Sequence, residues 1–184
     1  ARRFDIPTFQ LAVPIRHMQE SVQEYGAKEI ANCIKFIEEQ TGETFDWEHY
    51  FKCMETFNEE TKLFWEWLDM SKTDYPQVIG NNVALYRDAY YQVGGGRDPR
   101  FLENDREITE IACKGYEQKA QCVSEVRHRA VLWGVQAQYY TAFPIWLQNC
   151  WGILPLIDML SLTSTELYST TDKEQALYDM ADLY

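Results

Sequence analysis

The residues best equipped for chemistry stand together from Gln136 to Thr141, in the order Gln-Ala-Gln-Tyr-Tyr-Thr. Gln136 and Gln138 carry amides that both donate and accept hydrogen bonds, which suits a carbonyl or amide group on a ligand. Tyr139 and Tyr140 join an apolar ring to a hydroxyl, a pairing suited to a half-buried organic molecule. Thr141 is placed to cap a following helix, whose amino end favours an anion or an oxyanion. The plainer alternative is that both tyrosines pack beneath neighbouring helices.

A second candidate pair, Arg16 and His17, follows Pro14. At the carboxyl end of a strand the two can touch an anionic ligand. The alternative is a solvated pair, since the sequence shows no partner for His17. The three histidines, His17, His49 and His128, are too dispersed to propose as metal ligands. The five cysteines are Cys33, Cys53, Cys113, Cys122 and Cys150, an odd count with no CxxC spacing. They read as buried, reduced thiols of a cytoplasmic protein rather than as a converging thiolate site.

The elements that must position the first set run from Arg129 to Leu160. Ala130 to Val135 is a short apolar run without charge. Such a run fits a strand buried on both faces and central in a parallel sheet. A helix carrying Ile145, Trp146 and Leu147 follows, and Asn149 to Gly152 ends it. Leu154 to Leu160 is a second apolar run. Strand, helix and strand at this length form a βαβ unit. Ligands of open α/β sheets lie beyond the carboxyl ends of the strands. That places the loop after Val135, and the one after Leu160, at the candidate site.

Upstream the pattern is helical. Pro7 opens a short strand over Thr8 to Val13, and Pro14 stops it. From about Met18 to Gln40 the period is helical, with Ile30, Cys33, Ile34 and Ile37 on one face. Gly42 stops that helix, and Asp46 caps a second long one. The second helix has a stripe of Tyr50, Phe51, Met54, Phe57, Thr61, Phe64, Trp65 and Leu68. Glu48, Glu55, Glu59, Glu60, Glu66 and Asp69 form its solvated remainder. Tyr75-Pro76 breaks it. A shorter helix spans Asn81 to Gln92. Gly94 to Gly96 follows no strand and lacks the ending of a phosphate loop. Asp98-Pro99 opens another helix, running toward Val126 with a break near Gly115. Thr171 and Glu174 form a capping box for a last amphipathic helix. The division that results is 1–17, the end of one α/β domain; 18–127, a helical connector; and 128–184, the start of another α/β domain.

Bulk composition sets limits. The 184 residues are 46% hydrophobic, ample for a core, and carry a formal net charge of −12. The sequence pI of about 4.7 leaves no basic footprint for a phosphate backbone, so no nucleic-acid partner is expected. No apolar run reaches the roughly 18 residues of a membrane helix, so no membrane partner is expected either. There is no signal segment, and the helical pattern at Tyr184 lacks a stop, so the chain reads as an internal piece of a longer protein.

Several segments together resemble a known family. They are Asp5-Ile6-Pro7 with a strand ending Val13-Pro14, and a helix ending Glu38-Glu39-Gln40-Thr41-Gly42. Phe45-Asp46-Trp47-Glu48 and Asn58-Glu59-Glu60-Thr61 come next. Arg129-Ala130-Val131-Leu132-Trp133-Gly134 and the later Gly152 complete the set. Their order and spacing resemble the 2-hydroxyacyl-CoA dehydratase subunits, a group that includes benzoyl-CoA reductase subunits. The resemblance covers essentially the whole chain.

The resemblance implies an α/β fold of two Rossmann-like parallel-sheet domains with a large helical connector, this piece being mostly helical. It implies a hydro-lyase subunit that works with a paired dehydratase subunit and an ATP-hydrolysing activator protein. The activator delivers one electron, the thioester carbonyl becomes a ketyl radical, and the hydroxyl leaves as water. Amino-acid fermentation in anaerobic cells is the setting this implies. Gln136, Gln138, Tyr139 and Tyr140 would then hold the thioester or pantetheine amide of an acyl-CoA substrate. The family's cofactor is a 4Fe-4S cluster on three cysteines. Its first two ligands would precede Ala1 and its third would follow Tyr184, so none of the five cysteines is assigned as a metal ligand. A benzoyl-CoA-type reductase subunit, or a connector acting only in assembly, remains the alternative.

Overall fold

The computed structural model describes residues 6–12, 20–78, 98–121, 123–133, 142–158 and 165–182. They form α1 (Glu20–Thr41), α2 (Trp47–Ser71), α3 (Pro99–Glu117), β1 (His128–Leu132), α4 (Ala142–Trp151), β2 (Ile153–Asp158) and α5 (Lys173–Asp182). The described chain is mostly helical with one small parallel sheet, a mixed α/β arrangement. It divides into two compact units, one of Ala1–Glu55 with Glu166–Tyr184 and one of Thr56–Thr165. The expected helix over Asn81 to Gln92 and the Gly94 to Gly96 loop lie outside the described residues. The expected strand over Thr8 to Val13 is not seen: residues 6–12 carry no regular structure. Phe9 instead stacks obliquely on Phe36, with ring centroids 5.5 Å apart.

In the first unit, α1 ends where Gly42 takes a φ of 74°. The Gly42 N–H donates to Glu38 O at 2.8 Å, closing the last turn. α1 packs on α5, and the meeting point is small. A Cβ on Gly26 would stand 3.0 Å from Ala181 Cβ, while Ala27 and Ala176 are buried. On the expected isoleucine face, Ile30, Cys33 and Ile34 are partly buried, while Ile37 is 51% exposed. Asp172 caps α5, accepting from the N–H groups of Glu174 and Gln175 at 2.9 and 3.2 Å. The capping box placed one residue earlier, on Thr171, is thereby corrected. An Asp carboxylate reaches the orphan amides from the position next to the helix.

The start of α2 belongs to the same unit. Asp46 Oδ1 accepts from the His49 N–H at 2.9 Å, as a capping aspartate should. Phe45, Trp47, Tyr50 and Phe51 form a chain of ring contacts with centroids 4.8 to 6.0 Å apart. Lys173 Nζ lies 5.5 Å from the Trp47 ring centroid, a cation over a π face.

The second unit has its core on the later turns of α2. Phe64 and Trp67 meet edge to face at 4.8 Å, with Met70, Val78 and Ile108 packed around them. The buried stripe is Asn58, Glu60, Thr61, Phe64, Trp67 and Ser71. Two expectations are corrected by it. Trp67 rather than Trp65 is the buried indole, and Glu60 is fully buried rather than solvated. Positions 60, 64, 67 and 71 recur at helical spacing, so Glu60 sits on the core face by geometry.

α3 starts as expected. Asp98 accepts from the Arg100 N–H, and Pro99 occupies the first turn. It stops at Glu117 rather than near Val126. Ala120 N donates to Gly115 O at 2.9 Å, and Lys119 takes a φ of 53°. The Gln77 side chain crosses Gly115 and donates to Ala120 O at 2.9 Å, which fastens the end of the helix.

β1 and β2 pair in parallel, with His128 opposite Ile153 and Leu132 opposite Asp158. The register shifts between Ala130 and Val131, opposite Pro155. Proline has no N–H to give the ladder, so the pairing skips there. Gly152 joins α4 to β2 with a φ of 64°. Its carbonyl accepts from Arg127 and His128 N–H groups at 2.8 and 3.2 Å. The expectation that the first strand is buried on both faces does not hold. Val131 is 61% exposed, and β1 has one paired neighbour among the described residues.

Candidate functional site

The sheet brings two carboxyl ends together. Leu132 closes β1 directly opposite Asp158 at the end of β2. Residues 134–141 follow the first end in sequence and 159–164 follow the second. α4 starts immediately after the first of these, and its first turn holds no acidic side chain. The helix dipole makes that end partly positive, and no carboxylate of the first turn offsets it. Trp133, the last described residue after β1, is 81% exposed.

The candidates named from sequence fall outside the described residues. This applies to Gln136, Gln138, Tyr139 and Tyr140, and equally to Arg16 and His17. What the structure supplies is the frame on which the first four hang: a parallel strand pair, its aligned carboxyl ends, and the helix that follows.

The opposite end of the sheet carries a cavity of about 410 Å³ that no motif or spacing points to. Asp74, Ser124, Glu125, Arg129 and Leu154 are among its lining residues. Arg129 Nη2 donates to Ser71 O at 2.8 Å, which ties β1 to the end of α2. Glu125 is paired with Arg127 at 3.0 Å, and that guanidinium holds its carboxyl below the usual range. Only the fold brings residues 74 and 125 to one place, so spacing could not have revealed them.

Among the described residues no three His, Cys, Asp or Glu side chains form a group that could hold a metal ion. Cys33 and Cys53 are partly exposed, and Cys113 and Cys150 are exposed, all as free thiols. The expectation of buried cysteines is corrected for these four, and Cys122 lies outside the described residues. Cys53 Sγ lies 3.7 Å from His49 Nε2, one turn away on α2. A cluster needs more thiolates than any described region brings together, so these residues do not fit a 4Fe-4S group.

The clearest electrostatic shifts lie away from the strand ends. Arg100 holds the Asp98 carboxyl down at about 2, its guanidinium and its backbone N–H both donating to that carboxylate. Burial, then the charge of Asp179 and the Tyr168 hydroxyl, push the Tyr50 phenol up to about 12. Asp98 acts there as the cap of α3.

The parallel strand–helix–strand unit with its surrounding helices makes this a mixed α/β chain. Residues 1–184 match the family model described as 2-hydroxyglutaryl-CoA dehydratase, D-component. The chain belongs to that family of acyl-CoA dehydratase subunits. Neither curated proteins nor solved structures give a match. Among the described residues no helix is long and apolar enough to cross a membrane.

Proposed function

We propose that this chain is part of a subunit of a 2-hydroxyacyl-CoA dehydratase, which removes water from a (R)-2-hydroxyacyl-CoA to give an enoyl-CoA. The observation that carries this reading is the family match over residues 1–184. In this reading the β1–α4–β2 unit opens a Rossmann-like domain.

The chemistry explains why such an enzyme needs an external electron. The hydroxyl sits beside the thioester carbonyl, where a departing hydroxide would leave an electron-poor carbon. The hydrogen that must go lies one carbon further, where the carbonyl does not acidify it. One-electron reduction of the carbonyl to a ketyl radical reverses both handicaps: the hydroxyl is expelled as water, and the electron returns at the end. No protein side chain supplies such an electron. A 4Fe-4S cluster fed by an ATP-hydrolysing activator is the source in this reading, with ligands that the described residues do not provide.

This chain's own contribution is positioning. Gln136 and Gln138 hold amide or thioester groups of the acyl-CoA. Tyr139 and Tyr140 cover its apolar part, and the amino end of α4 favours developing negative charge on the carbonyl oxygen. Arg16 and His17 are assigned to an anionic part of the same substrate. The test is activator dependence in the complete enzyme. Enoyl-CoA formation should stop when the activator or ATP is withheld; an unchanged rate without them would overturn the one-electron reading.

A further inference from the structure

We draw no further inference here: the strongest candidate, the charge-free outer face of α4 where the exposed Phe143, Trp146 and Trp151 rings stand in contact, is an apolar surface for which nothing in the structure shows what covers it.

Discussion

Trp67 and Thr109 stand 42 residues apart, yet the Trp67 indole donates to Thr109 Oγ1 at 2.8 Å inside the core of the second unit. Thr109 passes the bond on, its hydroxyl donating to Asp105 O at 2.7 Å. α2 and α3 are thereby joined by a directional contact as well as by packing. Thr109→Val keeps the shape and removes the acceptor, so it should destabilise by about 1–3 kcal/mol. Thr109→Ser should recover most of that loss. Denaturant unfolding of both variants checks the pair, and a loss in Thr109→Ser with none in Thr109→Val would mean the methyl matters rather than the hydroxyl.

The neighbouring ring gives a sharper contrast along one helix. Phe64 is 3% exposed, whereas Phe57 is only partly buried and Glu59 is exposed. Phe64→Ala should cost roughly 3–5 kcal/mol. Phe57→Ala should cost less, and Glu59→Ala should be near neutral. Equal midpoints for the Phe64 and Glu59 variants would show that the face of α2 is assigned wrongly.

Two glycines with left-handed backbones should respond differently to alanine. At Gly42 a Cβ meets nothing within 4 Å, and at Gly152 it would stand 2.7 Å from Glu125 O. Gly42→Ala should therefore cost only the backbone penalty of about 1–2 kcal/mol. Gly152→Ala adds a clash with main chain and should cost clearly more. Thermal melts of the two variants measure the difference; a milder effect at Gly152 would contradict the turn as described.

The Tyr50 phenol provides a pH-dependent signature. Its pKa is raised from 10.0 to about 12, chiefly by burial. Between those values the unfolded chain has lost a proton that the native chain keeps. Stability is therefore fully present below pH 10 and falls as pH rises toward about 12. Tyr50 is half-exposed, so the fall is smaller than the full shift would give. Tyrosinate absorbance should show a late-titrating component that Tyr50→Phe removes; an unchanged titration in that variant would refute it.

Legibility in the sequence followed the range of the forces involved. Gly42, Asp46, Asp98 with Pro99, and Gly152 mark element ends through local chemistry, and each was readable. So was the parallel strand–helix–strand unit, whose apolar runs alternate with a helix. Tertiary choices were not. The spacing already put Glu60 on the stripe of Phe64 and Trp67, but its charge pointed to solvent. Nothing local told Trp67 from Trp65, and the pairing of Gly26 with Ala181 joins opposite ends of the chain. Of the candidate site, its frame was legible, while Gln136, Gln138, Tyr139, Tyr140, Arg16 and His17 lie outside the described residues.

The loop assignment is tested by separating turnover from folding. In the complete enzyme, Gln138→Ala and Tyr139→Phe should each lower turnover while leaving the melting temperature nearly unchanged. Variants that melt early yet keep their turnover per folded molecule would make the loop a packing element instead.

The central claim is the reaction itself. The complete subunit, its paired component and the activator with ATP should be offered 2-hydroxyacyl-CoA esters and, separately, benzoyl-CoA. Mass spectrometry of the products should show a 2-hydroxyacyl-CoA losing one water to give the enoyl-CoA, with benzoyl-CoA unchanged. Ring reduction of benzoyl-CoA with no dehydration, or an intact complex that converts neither, would contradict the account.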